Sequence, residues 1–280
     1  MQPSESTRFR GRRHLTLLLM IAAGVVTIAG QPLQVKLRSR LQPFKGSNSW
    51  ESVTFPMEID PQKTAILICD MWDNHWCRGA AQRTVTLAQR TDPFLQTMRG
   101  LGFLIIHAPS DTMAFYQDTP QRLAILKIEP SSPPPGLDLK DPPLPIDDSD
   151  GGCDTPGDKS HKAWTRQHAA IRIGATDLIS DKGIEIYSAL QNRGITHLLI
   201  LGVHTNMCIL NRSFAIRQMT RWGIRCILVR DLTDAMYDPQ DRPFVSHQQG
   251  TELVIEHIEK YWCPTVTSGD LLQAAELIKP

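Results

Sequence analysis

The sequence has no excess of charge of either sign: 30 Lys and Arg stand against 29 Asp and Glu in 280 residues, a formal net charge of +1. Without a one-signed field, nothing in the bulk charge recruits nucleic acid or an anionic surface. No C-x-x-C pair marks a metal knuckle, and the six cysteines (Cys69, Cys77, Cys153, Cys208, Cys226, Cys263) are too scattered in so long a chain for a disulfide scaffold. The acidic stretch near residue 150 lacks the ligand spacing of a calcium loop. No glycine-rich G-x-G-x-x-G turn follows the first strongly apolar strand, which runs into DMWDNHW instead, so a dinucleotide phosphate cradle is missing. No repeat of solenoid period occurs, and no apolar run reaches the roughly 20 residues of a membrane-spanning helix.

What is present begins with a leader-like start. Arg8, Arg10, Arg12 and Arg13 precede an apolar run from Leu15 to Ala29, closed by small residues at Ala29-Gly30. A basic segment before a short apolar core is the pattern of an export signal, or of an anchor if uncleaved. We therefore expect residues 1–30 to direct export, to the periplasm or beyond the cell, with membrane contact only through this segment. Residues 31–62 are mixed and polar and read as an arm.

The main domain is expected over residues 63–268, with residues 269–280 as a tail. Short apolar runs at Lys63–Asp70, Phe103–Ala108, His197–Val203 and Ile224–Arg230 read as strands buried on both faces. A shorter strand is expected at Ala170–Ile173, and an edge strand at Thr265–Thr267. Between them lie helical stretches at 79–100, Gly183–Arg193, Asn206–Trp222 and 244–261. Residues 128–160, dense in Pro, Asp, Gly and Ser, read as a solvated insertion. Strands alternating with helices give an α/β class: a three-layer, Rossmann-like fold with a central, mostly parallel sheet flanked by helices. Cys69 and Cys226 fall in apolar runs and read as core. Cys77, Cys153 and Cys263 fall near element ends, where an oxidising compartment could pair two of them; the sequence leaves open which two.

Ligands of such sheets bind beyond the carboxyl ends of the strands. Asp70, His107, the turn 203–208 and Asp231 occupy those positions. Cys208 lies between a strand and a helix, where Thr205 or Asn206 is expected to cap the helix and its dipole to lower the thiol pKa. Free backbone N–H groups of the same turn suit a developing oxyanion. Asp70 can accept the thiol proton and return it to a leaving group.

The segments TAILICDMWDNHWC and LLILGVHTNMCIL resemble the first-strand and cysteine motifs of the isochorismatase-like cysteine hydrolases, a superfamily that includes nicotinamidases. NRSFAIRQMTRWGIRCILVRDLTDAM resembles the helix, strand and loop that follow, so the likeness covers roughly residues 63–267. It implies hydrolysis of a small amide or related substrate through a thioester at Cys208. Asp70 would be the base, and the N–H groups of His204 and Cys208 the oxyanion hole. It also implies a cis peptide at Val203–His204 and self-association. A small-molecule substrate is the only other partner expected.

Two features depart from that pattern. The strand before the cysteine strand carries no lysine; Arg172 is the nearest cation and the candidate replacement. The Asp-x-His pair that holds a metal in nicotinamidases is absent after FLIIHA, so no metal or other cofactor is expected. Trp72, His75, His107 and Asn206 are candidates for the substrate pocket. Arg212 and Arg217, on the helix after the cysteine, are expected to pair with acidic neighbours or a partner subunit; Asp231 and Asp234 read as turn and cap residues, and His247 and His257 as structural. A non-catalytic member of the same fold, binding a small molecule or a partner, is the alternative.

Overall fold

The architecture was obtained as a computed structural model that describes residues 30–278. The export segment expected at residues 1–30 thus lies almost entirely outside the described residues. Eight strands form one sheet: β1 (Leu33–Leu41), β2 (Glu51–Ile59), β3 (Thr64–Cys69), β4 (Leu104–Ala108), β5 (Leu178–Ile179), β6 (His197–Val203), β7 (Arg225–Asp234) and β8 (Thr265–Val266). Their spatial order is β2-β1-β8-β7-β6-β3-β4-β5. The run β8 to β5 is parallel, and β1 and β2 add an antiparallel edge. Every residue of β3 and β4 is buried, as expected of strands covered on both faces.

The helices are α1 (Arg78–Gly100), α2 (Met113–Tyr116), α3 (Pro120–Leu126), α4 (Gly183–Asn192), α5 (Cys208–Asn211), α6 (Ile216–Arg221), α7 (His247–Tyr261) and α8 (Ser268–Leu277). Side chains of α1 and α8 bury against one face of the sheet, around Ile66, Ile68, Leu199 and Val229. Those of α4, α5, α6 and α7 bury against the other, around Leu67, Ile106, Ile200 and Leu228. Among the described residues no helix is long and apolar enough to cross a membrane.

Four local expectations change. Residues 31–62 are not a loose arm: β1 and β2 pair over nine residues, and Leu33, Val35 and Leu37 alternate into the core. Arg38 and Arg40 on β1 also neutralise Glu259 of α7, which is fully buried. The short strand lies at Leu178–Ile179 rather than 170–173, where the chain turns instead, with the Ile171 N–H donating to the His168 carbonyl. The strand at 265–266 sits between β7 and β1 rather than at an edge. The stretch expected as a tail forms α8, begun by a capping box between Thr267 and Asp270.

The insertion is docked rather than free. The Leu137 N–H donates to the Arg221 carbonyl, the Asp147 N–H to the Arg242 carbonyl, and Ile146 is buried. Of the three candidate loop cysteines, Cys77 and Cys153 form the disulfide, while Cys263 stays free and buried. Bridging positions 76 apart removes loop entropy from the unfolded chain equivalent to about 4.5 kcal/mol at most. Cys153→Ser, or reductant, should therefore lower the melting temperature by several degrees; an unchanged melting curve would show that the insertion is held by its other contacts alone.

Candidate functional site

In strand order the sheet changes direction at β3: β4 and β5 extend to one side, while the chain returns to place β6 on the other. Such a switch point opens a crevice beyond the carboxyl ends of the two strands. Asp70 ends β3, and the turn 203–208 ends β6. The close approach of the two strands depends on Gly202 (φ +118°), where a Cβ would stand 2.0 Å from the Cys69 carbonyl oxygen. Asp70 itself holds a left-handed backbone (φ 48°), a conformation that Asp tolerates better than most residues.

The acid and the thiol converge here. Asp70 is fully buried, with Oδ1 accepting from the Ser110 N–H at 2.7 Å. The Cys208 thiol lies beside the same carboxyl group, close enough for each to shift the other's pKa, while Cys208 itself keeps partial exposure. Cys69, Cys226 and Cys263 are buried. The Val203–His204 peptide is cis, as the resemblance implies. The Cys208 N–H has no backbone acceptor among the described residues.

The cation of the site is Arg212, not Arg172. Arg212 Nε donates to Asp70 Oδ2 at 2.8 Å, and its guanidinium lies 5.8 Å from the centre of the Trp72 ring. Arg172 is exposed and spends its guanidinium on Asp92 Oδ2, at 2.9 and 2.7 Å. The expected long helix at 206–222 explains the error, because it breaks into two. α5 stops after one turn, Arg212 leaves it in extended conformation (φ −61°, ψ 151°), and α6 starts only at Ile216. That break turns the guanidinium inward toward Asp70. The signal available in the sequence was an arginine four positions after the cysteine, a spacing that shares one helix face.

Electrostatics also differ from the expected dipole effect. A single-turn α5 carries little dipole, and its N-cap position, Met207, makes no side-chain cap. Thr205 instead bonds Thr233, and Asn206 bonds both backbone groups of Met236 and the Asp148 carboxylate. Burial pushes the Cys208 thiol pKa well up and Asp70 raises it further, with Arg212 opposing. Burial likewise raises Asp70, against Arg212 and the hydrogen bonds from Cys208 and Ser110. The resting pair is therefore a protonated thiol beside a carboxyl group whose proton affinity is raised toward that of a useful base.

The other pocket candidates divide. Trp72 lies at the site, stacked on Trp164 at 4.1 Å, with its Nε1–H donating to the Ser110 carbonyl. His75 also lies there, 5.0 Å from the His204 ring and 5.8 Å from that of Trp164. Burial lowers the His75 pKa to about 4 and that of His204 to about 3, so both are neutral at pH 7. His107 does not face the pocket; its two ring nitrogens are held by Gln167 and Asp177, both at 2.9 Å, within the core. Asn206 is likewise spent on the backbone and on Asp148. Asp231 accepts from Ser268, and Asp234 from Arg83 and His247, as structural readings require.

Sequence reasoning missed Trp164. It is delivered by the segment just after the insertion, where residues 165–168 hydrogen-bond antiparallel to 71–73. Its indole Nε1, the His204 Nε2 and the Ser110 Oγ are buried without hydrogen-bond partners, which leaves polar capacity unspent around the thiol. Cys77, Cys153 and Asp158 lie within metal-ligand distance of one another, but the two sulfurs are bonded together and unavailable.

No family profile matches the sequence, and no curated protein matches it. Solved structures do. A cysteine hydrolase from Pseudomonas syringae pv. phaseolicola 1448A superposes with a TM-score of 0.51 at 17% identity, over 79% of this chain and 96% of that one. An isochorismatase-like hydrolase from Alkaliphilus metalliredigens gives 0.46 at 13% identity, over 76% and 96%. An isochorismatase from Pseudomonas putida KT2440 gives 0.44 at 13% identity, over 75% and 90%. The chain has the α/β fold of the first of these, and the likeness at that identity is one of fold.

Proposed function

We propose that this chain is an isochorismatase-like cysteine hydrolase that cleaves a small amide or a related ester through a thioester at Cys208. One observation carries the reading: a thiol and a guanidinium four residues after it meet, at the sheet's switch point, a buried carboxyl group from a strand end far away in sequence. Asp70 removes the thiol proton as sulfur attacks the carbonyl carbon. The N–H groups of His204 and Cys208 hold the oxyanion that forms. The same proton passes from Asp70 to the departing amine, leaving a thioester, and Asp70 then activates the water that releases the acid. Arg212 keeps Asp70 ionised between proton transfers but never carries the proton, because a guanidinium does not titrate in this range.

Trp72 and Trp164 form the pocket wall, and the unspent Trp164 N–H and His204 Nε2 supply its polar handles. Trp164→Ala should raise KM by about tenfold, in line with the loss of one aromatic contact, with a smaller change in kcat. Steady-state kinetics on the best amide of a panel would show it; an unchanged KM would remove Trp164 from the substrate's surroundings. The disulfide supports an oxidising compartment, and with the leader-like start it favours an exported protein.

Acid quenching during turnover, followed by peptide mass analysis, tests the chemistry. The expected result is an acyl mass on the peptide that contains Cys208. Turnover with the acyl group absent from that peptide, under conditions where deacylation is slow, would contradict it. A protein that turns over no amide or ester, yet melts at higher temperature with one of them, would favour the non-catalytic reading.

A further inference from the structure

A cleft of about 560 Å³ opens between α1, the far end of β7 and α7. That volume is ordinary for a small-molecule site. Asp70, Cys208 and Arg212 do not line it. Its charged side chains divide when their hydrogen bonds are accounted for.

The carboxylates are spent. Asp231 accepts the Ser268 N–H and hydroxyl, both at 2.6 Å. Asp234 accepts Arg83 Nε and His247 Nε2, both at 2.9 Å. Glu252 accepts Arg38 Nη2 at 2.7 Å. The cations are spent unevenly. Arg230 has no carboxylate within 4.0 Å among the described residues, and its one side-chain hydrogen bond runs to Thr265 Oγ1 at 3.3 Å. Burial and the neighbouring Arg38 disfavour its charge, while Asp270, Glu259 and Asp231 favour it from beyond ion-pair distance. Arg83 is committed, its Nε to Asp234 and its Nη1 to Asp154, with only a buried Nη2 left over, whereas the more exposed Arg90 reaches Asp231 only at 3.4 Å. Beside them Leu87 and Ile255 give an apolar wall.

A site whose acceptors are used while the guanidinium groups of Arg230 and Arg90 keep free donors is short of an anion. We propose that this cleft binds a small organic anion, its carboxylate or phosphate held by Arg230 and Arg90 and its short apolar body lying on Leu87 and Ile255. The cleft touches the catalytic turn from behind: the Thr205 N–H donates to the Asp234 carbonyl, and the Thr205 and Thr233 hydroxyls bond at 2.7 Å. The proposal stands whether or not the chain is a hydrolase.

Calorimetric titration of the full chain with phenyl phosphate, benzoate and inorganic phosphate, at matched ionic strength in chloride, tests it. The expected result is saturable binding of at least one of the three, weakened about tenfold or more in Arg230→Gln and also in the more exposed Arg90→Gln, and unchanged in Cys208→Ala. Tighter binding of phenyl phosphate than of inorganic phosphate would show that the apolar wall takes part, and benzoate distinguishes a carboxylate site from a phosphate site. Circular dichroism confirms that each variant is folded. Absence of saturable binding, affinity in both arginine variants equal to that of the unaltered chain, or loss of binding in Cys208→Ala would overturn the proposal, the last by sending the anion to the catalytic crevice.

Discussion

Cys208→Ala should lower kcat by a factor on the order of 10⁵, to the level left by oxyanion donors and substrate binding alone. The other free thiols cannot take over, because Cys69, Cys226 and Cys263 are buried in the core. Cys208→Ser should be nearly as inactive. A hydroxyl is a far weaker acid than a thiol, and here burial and Asp70 already push the nucleophile's pKa up. A serine hydroxyl would ask still more of Asp70 as a base than the thiol does. Because Cys208 touches the core only in part, both variants should fold, and intact melting curves would separate lost chemistry from lost structure. Residual activity above about 1% in Cys208→Ala would remove the thioester from the account.

Arg212→Met should lower kcat/KM by about 10² and move the acidic limb of its pH profile upward by one unit or more. The sign follows from the neighbours. The base form of Asp70 is needed for attack, so the rate rises as pH rises through the pKa of Asp70. Burial already sets that pKa high, and the Arg212 guanidinium opposes the rise. Removing the cation pushes the carboxyl group further up, and the active form then appears only at higher pH. The same loss raises the thiol pKa. Arg212→Lys should restore part of the rate and of the limb, since a lysine supplies the charge without the fork geometry. A profile that drops in height without moving would show that Arg212 serves packing against Trp72 and not the ionisation of Asp70.

The parallel half of the fold could be read in the sequence because its strands are buried on both faces and appear as unbroken apolar runs, as in AILIC and LLILGV. The β1–β2 hairpin could not. Only one of its faces packs on the core, and the alternation in LQVKLRSRL is diluted by Arg38 and Arg40, whose charges are answered from α7. At the site, Asp70 and Cys208 were legible because strand ends and motif coincide. Arg212 was not, because its place depends on a helix that stops at Asn211, and nothing local in CILNRSFAIRQM forces that stop. Arg172 was misplaced for a related reason: the strand expected to carry it lies six residues later, and Asp92 on α1 takes its guanidinium. His107 shows the limit of position alone. It ends near the crevice in sequence, but Gln167 and Asp177 reach it first.

The measurement that bears most directly on the site is a double-variant cycle on kcat/KM with Asp70→Asn, Arg212→Met and the two combined. If the arginine acts by holding Asp70 ionised, the combined variant should be no slower than Asp70→Asn alone, because the carboxylate it serves is already gone. Losses that multiply would mean that the two residues work separately, and that an acid–thiol–guanidinium unit at the end of β3 and β6 does not exist.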